Sequence, residues 1–373
     1  MSSTACRWGQ QSVSCPRSES GLFRLGNRGS GMKIGIVGYQ GSGKSTLFHW
    51  LTGVAPNPAH AHQAQSAMAT VPDPRVAPLC EIYKPKKVTQ ASLEMVDTPG
   101  LSRSHEGSAS RLALIREAGC LVVVVAAFEG TDPLADLTNF EDDLLIADLD
   151  IVSGRIERLH DQIKRPRPNR DELQKELEAL QPLHAILEEG RSLHGLELTP
   201  EQQRVIRTFQ LFSEKPRMVI INAADDDTEL DRFQTAASSS TPVVAIPLRL
   251  QLELSEAAPD EREAFCQEMG VTVFDRDGLL QQMTAASGQM LFFTAGDREV
   301  RTWLIRQGGT AVEAAAGIHT DLARGFIRAE VMTCDDLIRL GSEREVKAHN
   351  LMRKEHKEYV IQEGEILLIQ HSS

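Results

Sequence analysis

The run Gly38-Tyr39-Gln40-Gly41-Ser42-Gly43-Lys44-Ser45 has the spacing G-x-x-x-x-G-K-[ST], with an apolar run before it and helical spacing after it. Its glycines let backbone N–H groups turn inward and cradle phosphate oxygens. Lys44 brings a mobile cation to β- and γ-phosphates, and Ser45 offers a hydroxyl to Mg2+. Gly38, Gly41, Ser42, Gly43, Lys44, Ser45 and Thr46 form the candidate phosphate-binding set. The chemistry is capture of a purine nucleoside triphosphate, ATP or GTP, with Mg2+ as cofactor. The bland alternative is a glycine turn that merely opens a helix.

Asp97-Thr98-Pro99-Gly100 follows a second apolar run. Asp97 is placed to hold Mg2+, directly or through water, and the Gly100 N–H to meet the γ-phosphate and register its loss. Lys44 and Gly100 are the candidates for γ-phosphate stabilisation; no catalytic acid or base is assigned. Leu101 stands where many small GTPases place a water-positioning Gln, and an apolar side chain cannot orient water. His105 and Glu106 are polar neighbours, equally at home in a solvated loop. Asn222-Ala223-Ala224-Asp225 has the form of an Asn-Lys-x-Asp base-reading motif without its Lys. A carboxylate at Asp225 would accept from guanine N1–H and the exocyclic amine, and Asn222 and Asp225 are the candidate base readers. A plain strand-end turn is the alternative. His60 and His62 have a metal-ligand spacing but no evident third ligand in the sequence.

Elements must hold these residues in place. Lys33 to Val37, Ser92 to Val96, Leu121 to Ala127, Arg217 to Ile221 and Pro242 to Pro247 read as strands. Residues 54–74 have no clean period and read as a loop. Continuous Val/Ile runs alternating with helices indicate an α/β fold with a mostly parallel sheet covered on both faces. Between the third and fourth strands, Leu145, Leu149, Val152, Ile156, Leu159 and Ile163 form a heptad seam, resumed at Leu173, Leu177 and Leu180 after Arg165-Pro166-Arg167-Pro168. That predicts an inserted antiparallel helical hairpin whose first arm, of about 20–24 residues, reaches roughly 30–36 Å. After about residue 288 the strands Phe292-Phe293-Thr294, Val300 to Ile305 and Ile366 to Ile369 indicate a small α+β domain.

Composition narrows the function classes. The net charge of −12 argues against a chain that binds nucleic acid through its overall field; RNA contact would need a local basic patch. The six cysteines include no C-x-x-C pair, so neither a zinc site nor a disulfide framework is signalled, and a reducing, cytoplasmic setting is expected. The most apolar run, Cys120 to Phe128, is too short to cross a bilayer, so no membrane partner is expected. Residues 1–31 are Arg-, Ser- and Gly-rich and precede a Met-Lys-Ile start at Met32. A disordered or over-long extension is the leading reading there, with a transit peptide or a folded element as alternatives.

These motifs together resemble the YchF/Obg-like ATPases. The resemblance rests on the P-loop, Val71-Pro72-Asp73-Pro74-Arg75, Lys84-Pro85, Asp97 to Leu101, Ile115-Arg116-Glu117, Phe128-Glu129 and Ala147-Asp148-Leu149. In the last domain it rests on Phe293-Thr294-Ala295-Gly296, Glu299-Val300-Arg301, Ile318-His319-Thr320-Asp321 and Gly325 to Val331, which look like that family's TGS domain, a β-grasp module. It implies a P-loop NTPase domain over 32–140 and 213–288, an inserted helical domain over 141–212, and a TGS domain over 289–373. It also implies slow Mg-dependent hydrolysis and a ribosome or RNA contact through the hairpin and the TGS domain. The family commonly prefers ATP, with Glu where this chain has Asp225. The resemblance is that of a divergent member: Gln40-Gly41-Ser42 stands where the family usually has Pro-Asn-Val, and a family histidine falls on Val123. Ser66 and Thr70 are only near the place of a sensing Thr, the loop 102–110 looks short, and Pro247-Leu248-Arg249-Leu250 replaces the usual loop near the base. Rival readings are a nucleotide-binding module without hydrolysis and a scaffold with a vestigial site.

Overall fold

A computed structural model describes residues 32–57, 59, 63–103, 108–128, 130–165, 168–227, 229–236 and 241–372. Residues 1–31, His60, His62, His105, Glu106 and Glu129 lie outside the described residues.

The first elements among the described residues are β1 (Lys33–Val37), the glycine loop and α1 (Lys44–Thr52). There follow β2 (Gln65–Thr70), α2 (Val76–Tyr83), β3 (Lys87–Thr89), β4 (Ser92–Asp97), α3 (Ser108–Arg116) and β5 (Cys120–Ala127). Two long helices, α4 (Pro133–Ile163) and α5 (Arg170–Glu188), come next, then the shorter α6 (Pro200–Phe209). The first sheet is completed by β6 (Arg217–Ala223) and β7 (Val243–Ile246), then α7 (Leu248–Glu256), α8 (Pro259–Met269) and α9 (Arg276–Ala286). The C-terminal part holds β8 (Gln289–Ala295), β9 (Glu299–Arg306), α10 (Ala311–Ile318), α11 (Thr320–Arg324), β10 (Phe326–Thr333), α12 (Cys334–Leu340), α13 (Glu343–Ala348), β11 (Arg353–Glu355) and β12 (Glu365–His371).

The first sheet has the order β2-β4-β1-β5-β6-β7. All its pairs are parallel except β2 with β4. Its middle strand β5 is buried on both faces, as its unbroken apolar run requires. This is the P-loop NTPase fold expected from the alternation of strands and helices. The stretch 54–74, read as a loop, contains β2. Its Gln-Ser-Ala-Met-Ala-Thr sequence lacks a strong apolar alternation because it is an edge strand, largely exposed.

The helical insertion buries its own core of Val152, Leu159, Leu173, Leu177, Leu180, Leu183 and Leu187. Arg155 pairs with Glu176 and Ser153 with His184, so α4 and α5 run antiparallel. The helix α4 opens at Pro133, before the boundary expected at 141. Asp132 caps it by accepting from the Ala135 N–H, and Pro133 stands in its first turn, where no backbone donor is needed. Its 31 residues include Phe140 and Leu144, which pack on the NTPase sheet.

The C-terminal sheet has the order β11-β10-β12-β8-β9-β3. Its edge strand β3 comes from the NTPase part and pairs parallel with β9. One core cluster runs from Ile34, Leu47 and Met95 through to Phe293, Val300, Met332 and Ile366. Arg75 reinforces this junction: it pairs with Asp73 at 2.6 Å and Glu363 at 2.5 Å, and lies over the Phe293 ring.

Candidate functional site

The phosphate loop owes its shape to glycines with positive φ. Gly43 has φ 101°, and a Cβ there would run into the Asn222 side-chain amide. Gly38 has φ 141°, and a Cβ would strike the Val124 carbonyl. The loop delivers Lys44 and Ser45 into the first turn of α1, while Thr46 is half-buried beside them.

Lys44 is 6% exposed, and its Nζ donates to the Tyr39 carbonyl at 2.7 Å. Burial pulls its ammonium down to about 8, opposed by the charge of Asp97. Ser45 Oγ donates to Asp97 Oδ2 at 2.7 Å. The other oxygen of Asp97, Oδ1, is buried with no hydrogen-bond partner. Burial raises the Asp97 carboxyl, against the Ser45 hydrogen bond and the Lys44 charge. A buried carboxylate oxygen without a donor beside a hydroxyl is a donor set that suits a hard divalent cation.

These groups share one cavity of about 380 Å3 with Gln40, Asn57, Gln65, Gly100 and Arg111. Gly100 passes so close to Lys44 that a Cβ would stand 2.7 Å from its Nζ. The next residue, Leu101, is 1% exposed. Its N–H donates to the Gly38 carbonyl at 3.1 Å, and its carbonyl accepts from Gln40 N–H at 3.0 Å. Leu101 is thus a backbone clasp between the glycine loop and the segment after Asp97, with its side chain in the apolar layer of Val37, Tyr39 and Ile115.

Asn222 and Asp225, the candidate base readers, both make contacts to the backbone. Both ends of the Asn222 amide are engaged by backbone: Nδ2 donates to the Ser42 carbonyl at 3.1 Å, and Oδ1 accepts from Leu248 N–H at 3.2 Å. Asn222 therefore ties the phosphate loop to β6 and α7. Asp225 is exposed, and its Oδ1 accepts from Leu250 N–H at 3.2 Å. Phe128, at the end of β5, keeps 39% of its surface exposed beside Ala224 and Phe233, in a groove of about 620 Å3.

Sequence reasoning missed three contributors. Arg111, from α3, donates to the Gly100 carbonyl at 3.0 Å. Tyr39, inside the phosphate loop, donates to Asp143 of α4 at 2.8 Å. Arg103 lies over the Tyr39 ring and forks onto Asp136 of α4. Arg111 and Arg103 stand at no motif position, and Tyr39 fills one of the motif's open positions, so residue type alone announces none of them. The Ile115-Arg116-Glu117 and Ala147-Asp148-Leu149 motifs meet away from the cavity. Arg116 pairs with the fully buried Asp148 at 2.9 Å, and Asp148 also accepts from Ser213 N–H. Among the described residues no cluster of three or more His, Cys, Asp or Glu could hold a metal ion, and no helix is long and apolar enough to cross a membrane.

Two family models match the chain. YchF-GTPase_C, described as a protein of unknown function (DUF933), covers residues 290–372. MMR_HSR1, described as a 50S ribosome-binding GTPase, covers residues 33–152. Among characterised proteins, the chain is similar to the ribosome-binding ATPase YchF of Haemophilus influenzae. The two are 33% identical over 359 residues, 90% of this chain and 98% of that protein. It is 35% identical over 369 residues to Obg-like ATPase 1 of Oryza sativa subsp. japonica, covering 92% of this chain and 93% of the relative. The solved structure of the Schizosaccharomyces pombe YchF GTPase aligns with a TM-score of 0.75 and 25% identity, over 94% of this chain and 100% of that one.

Proposed function

Because the chain belongs to the YchF/Obg-like ATPase family, we propose that it binds a purine nucleoside triphosphate with Mg2+, hydrolyses it slowly, and associates with ribosomes. One observation carries the nucleotide reading: Lys44, the Ser45–Asp97 pair with its unpartnered carboxylate oxygen, and the Gly100 backbone line a single cavity. Gly38, Gly41, Ser42, Gly43 and Thr46 would surround the phosphates. Ser45 and Asp97 would hold the Mg2+, whose contribution is to neutralise phosphate charge. Lys44 would move from the Tyr39 carbonyl to the β- and γ-phosphates. Its proton affinity, lowered by burial, would rise again beside those anions.

Asp225 would face the base, with Asn222 acting on the loop beneath it. The relatives' names are divided between ATPase and GTPase, and Asp225 favours guanine on hydrogen-bonding grounds. The ribosome contact rests on the names of the relatives and would use the helical insertion and the C-terminal sheet domain. A second reading, nucleotide binding without turnover, is favoured by Leu101, which is buried and clasped where a water-orienting side chain would be useful.

Turnover of Mg-ATP and Mg-GTP by purified protein, with Lys44→Ala as control, tests the hydrolase reading. Phosphate release above that control is expected. Equal rates from the two proteins would leave the binding module as the function.

A further inference from the structure

The phosphate cavity holds a second cation that neither the glycine motif nor the Asp97 motif supplies. Lys44 and Arg111 are the only cationic side chains among the described residues that line it. Arg111 belongs to α3, on the far side of the loop that begins at Gly100. Its Nη1 donates to the Gly100 carbonyl at 3.0 Å, and that same residue borders the Lys44 ammonium. A phosphoryl group held by Lys44 and the Gly100 N–H would therefore lie within one residue of the Arg111 guanidinium. That group has five N–H donors, and the Gly100 carbonyl engages only one nitrogen.

The chemistry of the cavity leaves a role open for it. Leu101 is apolar, buried and held by backbone hydrogen bonds on both sides, so it cannot orient water or carry charge. Asp97 is the only carboxylate lining the cavity among the described residues, and it is paired with Ser45. Phosphoryl transfer needs positive charge that follows the γ-phosphoryl oxygens as the bond to the leaving group lengthens.

We propose that Arg111 is an arginine supplied in cis to the γ-phosphoryl group, stabilising the transition state of hydrolysis that Leu101 cannot assist. This assignment rests on the hydrolase reading above. In the step concerned, a water oxygen forms a bond to the γ-phosphorus. The bond to the β–γ bridging oxygen breaks, and its electron pair leaves with the nucleoside diphosphate. Both water protons depart with inorganic phosphate, as dihydrogen phosphate, which then releases one to solvent. Arg111 exchanges no proton; it turns its other N–H groups onto the γ-phosphoryl oxygens and keeps its link to Gly100.

The experiment compares wild-type protein, Arg111→Ala and Arg111→Lys, with thermal melts to verify folding. A non-hydrolysable triphosphate with Mg2+ reads ground-state binding, and diphosphate with aluminium fluoride reads capture of a transition-state mimic. Single-turnover hydrolysis reads the chemical step. For Arg111→Ala we expect triphosphate affinity within about threefold of wild type and a hydrolysis rate lower by about 100- to 1,000-fold. Fluoride-dependent capture of diphosphate should be lost, and free guanidinium should restore part of the rate. Arg111→Lys should fall between, since a point charge cannot fork onto two oxygens. A wild type that turns over, beside an Arg111→Ala variant with unchanged rate and unchanged fluoride-dependent capture, overturns the assignment alone. Equal losses of triphosphate and fluoride-complex binding also overturn it, by making Arg111 a loop support. A wild type that binds triphosphate without turnover or fluoride-dependent capture overturns the hydrolase reading, and this assignment with it.

Discussion

Replacing Asn222 by alanine separates two roles that one asparagine could play. In the structure its amide joins the Ser42 carbonyl to the Leu248 N–H, and it is 9% exposed. Alanine leaves both backbone groups without their partner. An unsatisfied buried group costs about 1–3 kcal/mol, so the pair together costs about 2–6 kcal/mol, the lower end applying where the loop relaxes to reach water. Part of that cost falls on nucleotide binding, because Ser42 lies within the cradle. A share of about 1.4–2.8 kcal/mol corresponds to a 10- to 100-fold loss of affinity. The loss acts through the phosphates, so it should be the same for ATP, GTP and inorganic triphosphate. Isothermal titration with the three ligands, on wild type and Asn222→Ala, reads it directly. A shift in the ATP-to-GTP affinity ratio of more than about threefold, with triphosphate affinity unchanged, would refute the tie and restore a base-reading Asn222.

Other perturbations probe the remaining parts. Asp225→Glu should move the affinity ratio toward ATP in competition titrations, by about 3- to 10-fold, while leaving inorganic triphosphate unaffected; an unchanged ratio would remove Asp225 from the base site. Arg75→Ala strands Asp73, whose side chain is 4% exposed, and should lower stability by about 2–4 kcal/mol in denaturant titrations, the half-exposed Glu363 keeping the figure below that of a fully buried pair. A loss under about 0.5 kcal/mol would mean the junction is held by its apolar core alone. Burial pushes the thiols of Cys120 and Cys334 up to about 12. At pH 8 only about one molecule in 10,000 then carries either thiolate, and the fraction grows about tenfold per pH unit. Iodoacetamide at pH 8, read by peptide mass spectrometry, should spare both in native protein and label both in urea; rapid native labelling of Cys120 would contradict its burial.

What could be read from residues alone follows from how local each signal is. The glycine loop is a contiguous motif flanked by strand and helix, so Lys44 and Ser45 could be placed at once. The heptad seam from Leu145 is equally local, and α4, α5 and their shared core follow from it. Arg111 was invisible because its partner is a carbonyl, and any residue supplies one. Asn222 was legible as part of a motif, but the identity of its partners depends on how α7 meets the phosphate loop. The Arg75, Arg116 and Asp148 motifs marked a relationship to other proteins before they marked a role. The structure shows them as ties between layers, joining sequence positions as distant as Asp73 and Glu363. The strand β3 escaped notice because three residues, Lys87-Val88-Thr89, carry no periodicity; they become a strand only when β9 offers an edge.

The root of α4 sits on the phosphate loop itself. Tyr39 holds Asp143 and Arg103 holds Asp136, so the first turns of this helix are fastened to both phosphate-facing segments. Asp148, tied to Arg116 and Ser213, is the last of these fastenings, and from it α4 runs on roughly 22 Å to Ile163. As a lever, that stretch would carry its tip through roughly 2 Å for a tilt of about 5°, more than the rise of one helical residue. A shift where Tyr39 and Arg103 hold the helix would thus be felt at the far end of the insertion.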